Sequence, residues 1–317
     1  MVRIGIDVGG TNLVAGVVDE HNRIIAKAKV RASVFDTGEE TVTGLVRIAR
    51  QAVETAGLPP EQVRAVGIGV PGMVDDAAGV AVKTVNAPFD HTPVRALFQR
   101  LWPVEVYLEN DACCAVLGEG LAGCGRDSPF MMMFTLGTGV GGSYLRKTAN
   151  GIRLQGTEIG HMVIEHDGVP CPCGRRGCWE QYSSATALKR MTREQMRSHP
   201  ESAMWNLCGG DLGRVSGRTS FLAMEAGDAA ARELTERYLS YLADGLANAV
   251  NIFSPELICL GGGVANEREE NLLHPLQAMV AERTRVRQGV QSTRFVKAQL
   301  GGDAGIIGAA LLDMPRI

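Results

Sequence analysis

The alternation of apolar and polar positions divides this chain of 317 residues into two stretches built on one plan. In the first, apolar runs at 2–8, 13–18 and 24–30 read as strands, joined by the turns Gly9-Gly10-Thr11-Asn12 and Glu20-His21-Asn22-Arg23. Val42, Leu45, Val46, Ala49, Ala52, Val53 and Ala56 then recur at helical spacing, and Gly57 with Pro59-Pro60 ends that helix. A strand at 63–70, a helix at 93–101, a strand at 104–108 and a helix of small residues at 112–121 follow. The second stretch repeats the order, with strands at 130–136 and 142–145, a long helix at 228–253 and a strand at 256–260. A helix at 268–283, a strand at 294–299 and a helix at 304–312 complete it. Residues 191–220 show no period.

Two β-β-β-α-β-α-β-α runs are an internal duplication, and duplicated α/β units commonly hold a ligand in the cleft between them. The predicted fold class is α/β: two domains with mixed sheets and an interdomain cleft. The expected division puts residues 1–112 with 302–317 in a smaller domain and 113–301 in a larger one.

Composition narrows the function by exclusion. A hydrophobic content of 45%, a charged content of 21% and a net charge of -3 are those of a globular chain without the basic footprint of a nucleic-acid binder. No apolar run reaches the length of a membrane span, and the strand at 2–8 leaves no signal peptide to be expected. Eight cysteines, several beside Gly or Ala in apolar stretches, predict a reducing cytoplasm. Cys113, Cys114, Cys124, Cys208 and Cys259 are expected as buried free thiols.

The other three cysteines are grouped. Glu158-Ile-Gly-His161 is followed by Cys171-Pro-Cys173-Gly-Arg-Arg-Gly-Cys178-Trp-Glu180. His161, Cys171, Cys173 and Cys178 form the donor set of a closed, tetrahedral, structural zinc site, with no open position to activate water. Gly174 and Gly177 are expected to supply the tight turns. Glu158 and Glu180 bracket the ligands, so two carboxylates and an imidazole would be held ready for sugar hydroxyls.

Two glycine-rich turns occupy matching places in the repeats. Asp7-Val8-Gly9-Gly10-Thr11-Asn12 and Gly137-Thr138-Gly139 are predicted to clamp nucleotide phosphates from backbone N–H groups, without the Lys of a P-loop. Positive φ is expected at the glycines of the first turn. Asp7 would hold Mg²⁺ through water, and Gly261-Gly262-Gly263 suits close approach of an adenosine. Asp111, before the helix at 112–121, is either a general base for a phosphoryl acceptor or a helix N-cap. Asn86 suits a sugar hydroxyl or an ordinary turn.

With these motifs in order, the chain resembles the ROK family of bacterial sugar kinases and sugar-responsive repressors. Asp7 to Thr11, Glu109-Asn110-Asp111-Ala112, Leu136 to Gly142, Glu158 to His161, the cysteine cluster and Leu260 to Val264 carry the likeness, which spans essentially the whole chain. The cysteine cluster is its specific part. The resemblance implies a duplicated actin-like ATPase (ribonuclease H-like) fold, ATP with Mg²⁺ as donor and phosphorylation of a hexose at its 6-hydroxyl. It implies Asp111 as catalytic base and Asn86, Asn110, Glu158, His161 and Glu180 as sugar ligands, with zinc on His161 and the three thiols. Glucose is the expected acceptor, N-acetylmannosamine the alternative, and a homodimer or homotetramer the expected assembly. A repressor of this family would carry a helix-turn-helix ahead of the first strand, and none is expected here. Cys113 stands where many relatives have Asn.

Overall fold

The computed structural model describes residues 1–84, 89–284 and 292–317. Asn86, expected among the sugar ligands, lies outside the described residues. Strands β1 (Val2–Val8), β2 (Asn12–Val18) and β3 (Ile24–Arg31) lead to α1 (Gly38–Thr55), β4 (Val63–Val70) and the hairpin of β5 (Gly72–Asp75) and β6 (Val80–Thr84). Then come α2 (Val94–Leu101), β7 (Glu105–Asn110) and α3 (Asp111–Leu121). Strands β8 (Phe130–Leu136), β9 (Val140–Thr148) and β10 (Gly151–Thr157) precede helices α4 (Glu180–Ser183), α5 (Ala185–Ser198), α6 (Met204–Leu207), α7 (Thr219–Glu225) and α8 (Ala229–Phe253). The chain closes with β11 (Leu257–Gly261), α9 (Leu273–Arg283), β12 (Arg294–Lys297) and α10 (Ala304–Ala310).

The first sheet is ordered β3-β2-β1-β4-β7 and the second β10-β9-β8-β11-β12. With the β5-β6 hairpin set aside, strands counted within each repeat give one and the same order, so the duplication is topological as well as periodic. In the first sheet β1, β4 and β7 are parallel and β2 runs antiparallel to its neighbours. In the second, β8, β11 and β12 are parallel. The sequence follows from this placement. Central β4 is buried at every position but Arg64, whereas edge strand β3 buries only Ala26 and Ala28 and reads as an alternation. Helix α1 opens on a capping box between Thr37 and Glu40 and lays Val42, Leu45, Ile48, Ala49 and Ala52 into the core.

Internal contacts divide the chain into a unit of residues 1–130, 143–156 and 299–317 and another of 131–142 and 157–298. This differs from the expected boundary after residue 112, because α3 belongs with the first unit. The reason is an unusually close seat for α10. A Cβ on Gly308 would run into the carbonyl of Cys114, and one on Gly118 into the carbonyl of Ala304. On the sheet side, a Cβ on Gly5 would strike the backbone of Ile306, and one on Gly67 that of Ala309.

Three further departures from the expected elements have physical causes. The β5-β6 hairpin and β10 carry partly exposed, polar-interrupted strands with no clean period. Residues 191–220 hold the end of α5 and the brief helices α6 and α7, too short to show a 3.6-residue repeat. Helix α9 begins at Leu273 rather than 268, since Arg268 and Asn271 turn their side chains to Glu225 and Glu267. Among the described residues no helix is long and apolar enough to cross a membrane.

The seat of α10 generates a stability prediction. Gly308→Ala, although it favours helix intrinsically, should destabilise the protein by about 1–3 kcal/mol, because backbone and not a pliable side chain must give way. Urea unfolding checks this, and a variant as stable as the parent would show that the α3–α10 contact is not tight.

Candidate functional site

In the first unit the chemistry gathers where parallel strands end. Asp7 is the penultimate residue of β1, and Asn110 ends β7, on the other side of β4. Asn110 is the N-cap of α3: its Oδ1 accepts from the N–H groups of Ala112 (2.9 Å) and Cys113 (3.3 Å). Its Nδ2 donates to the Gly72 carbonyl at 3.0 Å. The cap is therefore Asn110, and Asp111 is the first residue of the helix, its own Oδ1 accepting from Ala112 N–H at 2.9 Å. The Asp111 carboxylate thus sits at the positive end of an 11-residue helix.

Both carboxyls are protonated more easily than usual. Burial, and then the charge of Asp111, pushes the Asp7 carboxyl up to about 6. Burial also raises Asp111, opposed by hydrogen bonds from the Ala112 backbone and the Asn110 side chain. Two partly buried carboxylates with raised proton affinity can hold a divalent cation or accept a proton more readily than exposed aspartates.

Each of the two glycine turns is closed by a backbone hydrogen bond of its own. Gly9 N–H donates to the Asn12 carbonyl (3.0 Å) in the first unit, and Gly137 N–H to the Gly139 carbonyl (3.0 Å) in the second. Thr11 and Thr138 lie within these narrow loops. Neither Gly9 nor Gly10 takes the positive φ expected of it. Gly9 is required by space, since its Cβ would sit 2.9 Å from the Asn12 carbonyl oxygen. Of the glycines at 261–263, Gly262 does have positive φ (85°) and packs against the backbone of Leu136, just before the second turn.

The segment from Glu158 to Glu180 folds around its donors. Gly174 (φ 88°) and Gly177 (φ 75°) take the left-handed turns expected of them. Cys171 and His161 Nδ1 lie 3.6 Å apart, as do the Cys173 and Cys178 sulfurs. All four donor atoms fall within 4.8 Å of one another. A tetrahedral ion with metal–sulfur bonds of about 2.3 Å separates its sulfurs by roughly 3.8 Å, so these residues fit one. Because Nδ1 faces the sulfurs, Nε2 points away, 4.0 Å from the exposed carboxylate of Glu158.

Residues outside the expected set position this group. Trp179 is fully buried, donates from its indole N–H to the Tyr241 carbonyl (3.0 Å) and lies flat where a side chain on Gly245 would be. Glu180 follows immediately and opens α4. Its Oε2 accepts from Val140 N–H at 3.0 Å and occupies the space a Gly139 side chain would need. Glu180 is thus tied to the second glycine turn. Gln181 Nε2 donates to the Cys171 sulfur at 3.7 Å, as outer partners of metal ligands do. An indole beside a cysteine and a glycine on a distant helix give no joint signal in sequence.

The ROK family model matches residues 3–314. The chain belongs to the ROK family. It is 35% identical to a glucokinase of Thermotoga maritima, over 99% of this chain and 98% of that protein. It is 31% identical to an N-acetyl-D-glucosamine kinase of Yersinia pseudotuberculosis, over 98% of each. Among solved structures it is similar to a ROK family glucokinase from Streptomyces griseus in complex with glucose and AMPPNP, with 34% identity, a TM-score of 0.75 and 98% and 99% of the two chains covered. The fold is accordingly the duplicated, actin-like α/β fold of ROK proteins.

Asp7 leaves a signature in stability. Its carboxyl titrates near 3.8 when unfolded and near about 6 when folded. Between those values the folded state holds the extra proton, so stability falls as pH rises through the window and the cost is complete above it. Asp7→Asn removes that cost, and should be more stable than the parent at pH 7.5 by about 1–3 kcal/mol, the difference closing near pH 4. Urea unfolding at both pH values tests this. An equal gain at both would place its cause elsewhere.

Proposed function

We propose that this ROK protein transfers the γ-phosphate of ATP to the 6-hydroxyl of glucose. The observation that carries the reading is the full-length similarity to the Streptomyces griseus glucokinase bound to glucose and AMPPNP. The chemistry of the residues supports it. Asp111 would take the proton of the attacking hydroxyl, and the burial that raises its carboxyl makes it a stronger base than an exposed aspartate. Glu158, His161 through Nε2, and Glu180 would bind sugar hydroxyls, with Asn86 and the remaining N–H of Asn110. Gly9 to Asn12 and Gly137 to Gly139 would receive the phosphates through backbone N–H groups, with Gly261 to Gly263 beside the adenosine. Asp7 would hold Mg²⁺, which would neutralise charge on the phosphates. Attack in line on the γ-phosphorus forms the new O–P bond as the bond to the ADP oxygen breaks.

His161, Cys171, Cys173 and Cys178 would hold a structural zinc ion that fixes the segment carrying Glu158 and Glu180. Cys113, Cys114 and Cys208 are buried thiols outside the proposed zinc cluster, which supports a reducing cytoplasm as the site of action. A homodimer or homotetramer is the assembly the family resemblance favours. A second acceptor class, N-acetylhexosamines, is supported by the 31%-identical N-acetyl-D-glucosamine kinase, and N-acetylmannosamine stays with it.

Coupled release of ADP tests the catalytic assignment. Asp111→Ala should lower kcat by at least about a hundredfold while glucose still binds. A folded variant with near-normal turnover would remove Asp111 from the mechanism. On the parent enzyme, kcat/KM for glucose should exceed that for N-acetylglucosamine and N-acetylmannosamine by at least about tenfold, roughly 1.4 kcal/mol of transition-state preference. The reverse order would make the acetamido sugar the substrate.

Metal analysis of purified protein should find one zinc per chain. Cys178→Ser should lose it, melt at lower temperature and bind glucose more weakly, because Glu180 lies two residues on. A metal-free but fully stable parent protein would refute the zinc assignment.

A further inference from the structure

We propose that Arg316 is a positioning residue for the Asn110–Asp111 site: its guanidinium bridges the two carboxylates that cap the open edge of the strand ending there. The proposal rests on the kinase reading above for its catalytic consequence, but not for the bridge itself. Among the described residues strand β7 lies at the edge of the first sheet and pairs only with β4, so alternate backbone groups along it face away from the described strands. Side chains take their place. Val106 C=O accepts from Arg95 Nε (2.8 Å), Leu108 N–H donates to Asp76 Oδ1 (2.9 Å), and Asn110 N–H donates to Glu109 Oε1 (2.9 Å). Buried edge groups left unpaired would cost stability, and a frayed edge would loosen the junction that aims Asp111.

Arg316 joins these caps. Its NH1 donates to Glu109 Oε2 at 2.9 Å and its NH2 to Asp76 Oδ2, while Arg95 NH2 holds Asp76 Oδ1 at 2.6 Å. The side chains of Arg316, Asp76 and Glu109 are each about three-quarters buried. The Arg316 backbone is fixed too, since Ile152 N–H donates to the Pro315 carbonyl (3.0 Å) and Ile317 N–H to the Ile152 carbonyl (3.1 Å). The fork of one guanidinium serves two carboxylates at once, a geometry an ammonium does not offer. Without it, Asp76 and Glu109 would repel each other beneath the β7–α3 junction, and burial already disfavours the charge on Glu109. The stakes are set by catalysis, in which a small misplacement of a base costs much of the rate.

The test compares the parent protein with Arg316→Ala and Arg316→Lys by two measurements: amide hydrogen exchange of residues 105–112, and steady-state kinetics with ATP and glucose. Arg316→Ala should speed exchange in this segment by at least about tenfold and lower kcat by about tenfold or more, with both KM values within about threefold of the parent. Arg316→Lys should recover part of each loss, because it restores charge without the fork. Unchanged exchange overturns the bridge. Faster exchange with unchanged kcat overturns the positioning role. If Arg316→Ala does not fold, the lysine variant decides by the same two readings at smaller size. If the parent itself shows no phosphotransfer, the kinase reading fails, and the exchange result alone decides the bridge.

Discussion

The first unit depends on one constraint, which is that α10 must touch β1, β4 and α3 backbone to backbone. Gly5, Gly67, Gly118 and Gly308 supply the four contact points, and at each of them a single Cβ would meet main-chain atoms of the neighbour. Glycine is a poor choice for strand or helix interiors, costing roughly 0.5–1 kcal/mol relative to alanine. Four such residues are tolerable only where close approach returns more than it loses. What it returns is dry packing at the end of the chain against its beginning. Gly305, one turn before Gly308, faces Asp7: a Cβ there would lie 3.4 Å from Asp7 Oδ1. Helix α10 therefore contributes to the burial that raises the Asp7 carboxyl.

The second unit meets the same need for precision by different means. Residues 158–180 contain little regular structure, only a single 3-10 turn at Ile159–His161 and short bridges. Such a segment buries too little apolar surface to order itself. Its order comes from two anchors close in sequence: the convergence of one imidazole and three thiols, and the buried indole of Trp179. Glu180 stands directly after both. Because its carboxylate also holds Val140 N–H, the residue proposed to read the sugar shares its charge with the turn proposed to read phosphate.

The sequence was most legible where physics is local or repetitive. The strand runs of both repeats other than β10, with α1 and α8, follow from period and breakers, and the duplication follows from their order. The cysteine cluster was legible because its spacing leaves few other uses for it. What could not be read falls into kinds. Gly9 and Gly10 invite a positive-φ interpretation, but the turn uses glycine for lack of volume, which sequence does not distinguish. Asp111 and Asn110 compete as caps on equal chemical terms, and only the geometry assigns the cap to Asn110. Arg316 contacts Glu109 and Asp76 across separations of 207 and 240 residues, so no local pattern announces it.

The duplication also explains why the two repeats differ chemically. Asp7 is paired with Gly69 across β1 and β4, and Thr135 with Gly261 across β8 and β11. Asp7 and Thr135 are therefore equivalent positions of one topology, one an acid and the other a hydroxyl. The helix after the last strand of each sheet repeats the contrast: α3 begins with Asp111, whereas α10 begins with Ala304 and Gly305. Both carboxylates sit in the first repeat. On the proposed reaction this asymmetry has an electrostatic reason. A polyphosphate near bare carboxylates is repelled, so the acidic repeat would engage it through a cation. At the equivalent positions of the second repeat, Thr135 and Ala304 carry no charge, and the turn that follows Thr135 would offer N–H and O–H donors directly. On that reading the acid at the start of α3 is the one that would take the proton of the sugar hydroxyl, and its counterpart at the start of α10, Ala304, would have no such part.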